Sequence, residues 1–292
     1  MKKMLIVFSL ISSGVFSQED IKLSTYSMQH ILYSPSLSIA HSNINVTAVF
    51  REQWNVSGAP IMGFVSGHSQ INGSNTFVSG YVGYERISVY DKTMSEIGIS
   101  QRIQLSEGNF LGLGLAGGIN SLKVDLSRAN FSSGDDVIGL QIINETSLLG
   151  TGSITYVNTN ISMNASIGMR DVIGTQNMFG YLSKKFELNT KFDLDLSTLT
   201  KYSLNTSKFE FDGTVMATYN NMISLGATIR NQNQIVGLVQ LNYKDKVKIG
   251  YAYDYHYGSL TGFNAHEIVL RVLIPGTKQM SRSKIGFTNP RI

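Results

Sequence analysis

The chain contains no cysteine, which excludes disulfides, thiolate metal centres and a lipid-modified N-terminal cysteine. Charged residues make up only 15% of it, against roughly 25% in ordinary soluble domains. Proline numbers 4 and tryptophan 1 among 292 residues. No stretch approaches the roughly 20 consecutive apolar residues that a membrane-spanning helix requires. The net charge is +4; of 24 Lys and Arg, Lys2 and Lys3 lie in the leader, so 22 bases face 20 acids and the remainder carries +2. That balance points to no nucleic-acid partner. What is abundant is glycine, at 28, with 14 tyrosines and 14 phenylalanines.

These residues are arranged with a period of two. Across Phe209 to Leu273, five segments alternate apolar or aromatic with polar residues, separated by tight polar turns. Phe209, Phe211, Val215, Ala217 and Tyr219 share one parity, and Glu210, Asp212, Thr214 and Thr218 the other. Side chains of a strand point alternately to its two faces, so each segment has one apolar and one polar face. Asn220-Asn221 and Lys244-Asp245-Lys246 serve as hairpin turns. Val269 and Leu273 blur the polar parity of the last segment. Segments of about ten residues suit tilted strands crossing a bilayer, whereas soluble strands average about five to six. The fold class expected is all-β, a transmembrane antiparallel β-barrel of about fourteen strands.

The order of segments predicts the organisation. Met1 to Ser17 has two lysines, an apolar run from Met4 to Ile11 and small residues before Gln18, the pattern of a signal peptide spanning 1–17. Residues 18–42 form a polar-aromatic lead-in without alternation, which either lies inside the barrel or folds under its mouth. The barrel is expected over 43–274. Its strands begin with Ile44, Val46, Ala48 and Phe50 and continue through Ile61 to Ile71, Phe77 to Arg86, Ile97 to Leu105 and Leu111 to Ile119. They resume at Leu149 to Val157, Ile161 to Arg170, Asn177 to Phe186 and Lys191 to Leu199. Leu122 to Leu148 reads as one long loop. With both termini periplasmic, the short turns fall on the inner side and this loop on the outer side, as in bacterial barrels. Residues 275–292 add Lys278, Arg282, Lys284 and Arg291 without an acid, a basic periplasmic tail.

Candidate chemistry is sparse. Gly112, Gly114 and Gly117 spell the dinucleotide motif, which needs a following helix; inside a strand, the glycines instead leave room for the lead-in or a neighbouring side chain. Gly67-His68-Ser69 approaches a hydrolase elbow but lacks its final glycine. His30, His41, His68, His256 and His266 show no zinc spacing and read as lumen or interface side chains. Asp135-Asp136 reads as solvated loop charge, and Tyr251, Tyr253 and Tyr255 as an aromatic girdle. Neither a catalytic residue, nor a cofactor, nor a metal is expected.

Arg51-Glu52-Gln53-Trp54 followed by Gly58-Ala59-Pro60 resembles the R-x-Q-W and G-A-P signature of the PorP/SprF family of outer-membrane proteins. Tyr33-Ser34-Pro35-Ser36 resembles that family's N-P-A lead-in, with S-P-S in its place. Ile249 to Tyr255, then His266-Glu267-Ile268, resembles its closing hairpin, and Asn289-Pro290-Arg291 its tail ending. The resemblance implies a non-enzymatic barrel of type IX secretion and gliding motility. It would secrete, anchor or retain a large surface protein or adhesin through that partner's C-terminal domain, and connect to periplasmic or peptidoglycan-bound components. The contacts assigned to partners on this basis are Arg51, Gln53, Trp54, Gly58, Ala59 and Pro60 at the first loop, and Lys278, Arg282, Lys284 and Arg291 in the tail. The rival expectation is an outer-membrane channel for a small solute or fatty acid.

Overall fold

A computed structural model describes residues 22–40, 44–53, 58–128, 142–172, 175–231, 233–257, 262 and 264–274. Fourteen antiparallel strands close into one barrel in which each strand pairs with its sequence neighbours and β1 pairs with β14. They are β1 Ile44–Gln53, β2 Ile61–Gln70, β3 Thr76–Ile87, β4 Tyr90–Ser106, β5 Asn109–Asp125, β6 Ile142–Asn158 and β7 Met163–Val172. The second half comprises β8 Thr175–Glu187, β9 Phe192–Ser203, β10 Lys208–Tyr219, β11 Ile223–Arg230, β12 Gln234–Tyr243, β13 Val247–His256 and β14 Ala265–Ile274. Closure removes both sheet edges, so the ladder satisfies the backbone within the spanning region, as hydrocarbon demands.

The period-two pattern fixes which side chains face out. Ile97, Leu115, Ile154, Ile167, Leu182, Val215, Leu225, Ile249 and Ile268 are exposed on the outer wall. Such a density of exposed apolar residues suits a surrounding of lipid. Aromatics gather at both rims of this belt: Phe186, Phe192, Tyr219 and Tyr243 at one, and Phe50, Tyr202, Phe209 and Tyr255 at the other. Phe192 and Tyr219 pack together with ring centroids 4.9 Å apart and planes tilted by 46°. The hairpin turns obey the same local rules. Asn220 and Asn221 both adopt positive φ, at 49° and 54°, the left-handed pair of a type I′ turn that asparagine tolerates.

β1 begins and β14 ends at one rim, and the three longest connections, after β1, β5 and β13, lie at the opposite rim, which is therefore the outer side. The expected loop from Leu122 to Leu148 is corrected at both ends. β5 continues to Asp125, a 3-10 turn follows at Leu126–Arg128, and β6 starts at Ile142, so Leu122 and Glu145 are strand residues facing each other. β4 likewise starts at Tyr90, well before Ile97. Strands β4, β5 and β6 are each 17 residues long, while β11 has 8, and the wall is consequently much taller on one side.

The lead-in lies within the lumen. Three 3-10 turns, Tyr26–Met28, His30–Leu32 and Pro35–Ala40, carry it through the barrel. Leu23, Tyr26, Met28, Leu32, Tyr33 and Leu37 form one apolar cluster with Val49, Phe64, Tyr81, Phe179, Leu199 and Val269 of the wall. Val269 breaks the polar parity of β14 because it packs on this plug. Ile39 and Ala40 close the inner end against Phe77, Phe110 and Val157. The inward face is thus buried rather than wetted.

Candidate functional site

The lumen and its plug hold the densest chemistry of the described residues. At the outer end, alternate inward positions on five strands bring Arg51 of β1, Asp212 of β10, Arg230 of β11, Asp254 of β13 and Glu267 of β14 together. Arg51 Nη2 reaches Asp254 at 2.6 Å, and its Nη1 reaches Glu267 at 3.1 Å. Arg230 bonds Asp212 through Nε at 3.0 Å and Asp254 through Nη1 at 3.0 Å. Two cations thereby face three carboxylates, and the excess acceptors are met by the plug. Glu267 accepts the backbone N–H groups of Ser24 and Thr25, both at 2.8 Å, and the Thr25 hydroxyl. Ser24 Oγ donates to Asp254 at 2.6 Å, while Arg51 donates to Ser24 Oγ at 2.7 Å and Arg230 to the Leu23 carbonyl at 3.1 Å. Buried ions need such pairing, because desolvation otherwise costs on the order of several kcal/mol per ion. The wall network is therefore completed only when the plug is docked.

Farther along the lumen, Tyr26 donates its hydroxyl to Thr214 Oγ1 at 2.8 Å, Arg271 donates to the Met28 carbonyl, and Arg170 donates to the Leu32 carbonyl. Arg170 also stands over the rings of Tyr81 and Phe179, 5.7 and 5.4 Å from their centroids, and 3.6 Å from Glu96. Nearer the inner end the charges give way to hydroxyls. Ser34 Oγ meets Ser166 Oγ at 2.5 Å, Ser36 N donates to Ser153 Oγ at 2.9 Å, Ser36 Oγ meets Thr155 Oγ1 at 2.6 Å, and Ser100 Oγ donates to the Pro35 carbonyl at 2.9 Å. Gly114 makes this approach possible: a Cβ there would stand 2.5 Å from Ser36 N. Gly112 similarly leaves space for Ile39. Two of the three glycines in the dinucleotide-like motif therefore serve the plug, while Gly117 lies on the exposed outer parity.

The sequence-assigned residues separate accordingly. Arg51, expected as an outer partner contact, is only 3% exposed and points into the lumen, where it bonds Ser24, Asp254 and Glu267. Gln53 donates its backbone N–H to the Pro60 carbonyl at 2.9 Å, which closes the first outer connection. Gly58, with φ of 77°, accepts from Ser88 N at 3.0 Å and ties that connection to the β3–β4 turn; Ala59 is half-buried and Pro60 buried beside it. Trp54, Lys278, Arg282, Lys284 and Arg291 lie outside the described residues, as do His41 and Asp135-Asp136.

His30 and His68 face each other inside the lumen with ring centroids 6.4 Å apart, and His266 lies on the outer face, where Tyr251 Oη is 2.7 Å from its Nδ1. Ser69 has the parity opposite to His68, and its hydroxyl donates to the Gln70 carbonyl at 3.1 Å. No group of three or more metal-ligating side chains occurs among the described residues. Sequence reading passed over Asp212, Arg230, Asp254 and Glu267 as a unit. Their signal was present as charges on the inward parity of successive strands, but their common height is set by register.

Comparison with solved structures gives low-identity barrels. The outer membrane protein Omp33 of Acinetobacter baumannii has 8% identity and a TM-score of 0.49, covering 80% of this chain and 98% of that one. The translocator domain of the autotransporter NalP from Neisseria meningitidis has 12% identity and a TM-score of 0.44, with 86% and 96% covered. The toluene transporter TodX of Pseudomonas putida has 8% identity and a TM-score of 0.45, with 87% and 93% covered. A comparison with curated proteins finds no match. The model of the family described as type IX secretion system membrane protein PorP/SprF, by contrast, matches residues 15–272. With its closed barrel and lipid-facing belt, the chain is an outer-membrane protein and belongs to the PorP/SprF family of the type IX secretion system.

Proposed function

We propose that this barrel is a non-enzymatic platform of type IX secretion that anchors or retains a large surface protein on its outer side and links it to periplasmic components. The observation that carries this reading is the filled lumen. Residues 22–40 occupy the space that a solute pathway would need, held by hydrogen bonds to a buried network of wall charges at one end and by hydroxyl contacts at the other. A barrel that spends its interior on its own N-terminal segment acts through its rims. Its outer rim is uneven, with β5 and β6 paired for seven residues beyond the end of β7, and the basic residues 275–292 follow the inner end of β14 in the sequence.

The test is purification from native outer membrane combined with conductance in planar bilayers. The expected outcome is a silent barrel that brings a surface protein with it, and a variant lacking 275–292 that still assembles but loses its periplasmic partners. Robust solute flux through the intact barrel, with no surface protein co-purifying, would instead favour the channel.

A further inference from the structure

β6 pairs with β5 along its whole length, from Ile142 opposite Asp125 to Asn158 opposite Asn109. Its pairing with β7 begins only at Leu149, opposite Val172. The seven residues Ile142–Leu148 thus have a ladder on one side and none on the other among the described residues. At about 3.3 Å per residue this is an edge of roughly 20 Å. It rises above the lipid belt, because Asp171, a charged outward residue of β7, already lies opposite Gly150. Along an antiparallel edge, alternate residues direct N–H and C=O groups to the empty side.

Exposed edges are ordinarily blunted by lysine, proline, bulges or short length. Here the edge segment reads Ile-Ile-Asn-Glu-Thr-Ser-Leu, with one charge, no lysine, no proline and an unbroken register against β5. Ile142, Ile143 and Leu148 are 55%, 46% and 69% exposed. Ile142 and Ile143 stand at its outer end, beyond the reach of lipid. We infer that Ile142–Leu148 is a docking strand to which an extended segment of the retained surface protein adds by β-pairing. Backbone hydrogen bonds would supply affinity, and the isoleucines on either face would select apolar side chains on the incoming strand.

A second copy fits this edge poorly. Two upright barrels in one membrane both run β6 from outer to inner side. A two-fold axis along the membrane normal then sets their edges parallel, with like groups facing each other; the antiparallel pairing of two identical edges would require one barrel to be inverted. A polypeptide arriving from outside has no such restriction.

This inference rests on the platform reading, and one experiment separates their failures. Backbone hydrogen exchange is measured on the barrel alone and on the complex purified from native outer membrane. The expected result is fast exchange at alternate amides of Ile142–Leu148 in the isolated barrel, slowed at least tenfold in the complex. A bound surface protein with unchanged exchange at this edge would overturn the docking strand and leave the platform standing. Protection already present in the isolated barrel, or protection arising from a second copy of this chain, would also overturn it. Failure of any surface protein to co-purify would overturn the platform, and the docking strand with it.

Proline placed singly at Asn144, Glu145 and Thr146 supplies the second measurement. These sites lie beyond the β7-paired wall, so the barrel still closes. Retention of the surface protein should fall at least tenfold at the parity whose N–H faces the open side, and equal retention in all three variants would overturn the proposal.

Discussion

The two ends of the plug are held by different chemistry. At the outer end, Leu23 to Thr25 dock through Arg51, Arg230, Asp254 and Glu267, groups that cannot remain buried without their partners. At the inner end, Ser34 to Ala40 lie on serine and threonine hydroxyls and close-packed glycines, with Phe77 and Phe110 beneath Ile39. Removing a hydroxyl forfeits about 1 kcal/mol, whereas stranding a buried charge costs about 3–5 kcal/mol. The outer end is therefore specific and brittle, and the inner end is a graded fit. The contrast also assigns the two ends different consequences when disturbed.

Glu267→Ala should give the largest effect. It removes the acceptor of two plug amides and leaves Arg51 with half its countercharge, so docking of the outer end weakens by about 3–5 kcal/mol. Planar-bilayer recordings should then show channel openings absent from the parent barrel, and silence would mean that the inner end alone keeps the lumen shut. Gly114→Val is expected to be smaller, about 1–3 kcal/mol for overpacking against Ser36. Exchange should rise at Ser34 to Ala40 while Ser24 and Thr25 stay protected. Loss of protection at both ends together would make the plug one cooperative unit and erase the distinction.

The smallest effect concerns His30, midway between the ends. Burial, followed by the nearby Arg271, pushes its pKa down to about 4, and the Ser27 carbonyl opposes the shift. His68 and Tyr181 also face it, with ring centroids 6.4 and 6.1 Å away. An undocked His30 takes up a proton near its ordinary value of about 6.5, while the docked one does so only near 4. Stability of the docked plug is thus complete above that ordinary value and declines as pH falls toward 4. The protection of the amides of His30 to Tyr33, with exchange rates taken relative to intrinsic exchange at the same pH, should fall between pH 7 and pH 5, and that fall should be weaker in His30→Gln.

The alternation from Phe209 to Leu273 was legible because lipid imposes it: every second side chain of a spanning strand must be apolar. The strand count and the short inner turns followed from the same constraint. Where the wall leaves the bilayer the constraint ends, which is why Leu122 to Asp125 and Ile142 to Leu148 read as loop although the ladder continues through them. Arg51 was visible as part of a motif, but its direction into the lumen depends on its being two residues from Gln53 on the inward parity of a closed sheet.

Local sequence therefore determined what each strand presents to lipid, since hydrophobic burial in a bilayer depends only on parity and segment length. Tertiary structure alone decided how the interior is filled. The meeting of Arg230, Asp254 and Glu267 with Leu23, Ser24 and Thr25 joins positions more than 200 residues apart. It depends on the register and closure of the barrel, and no periodicity along the chain encodes the height at which charges on different strands come together.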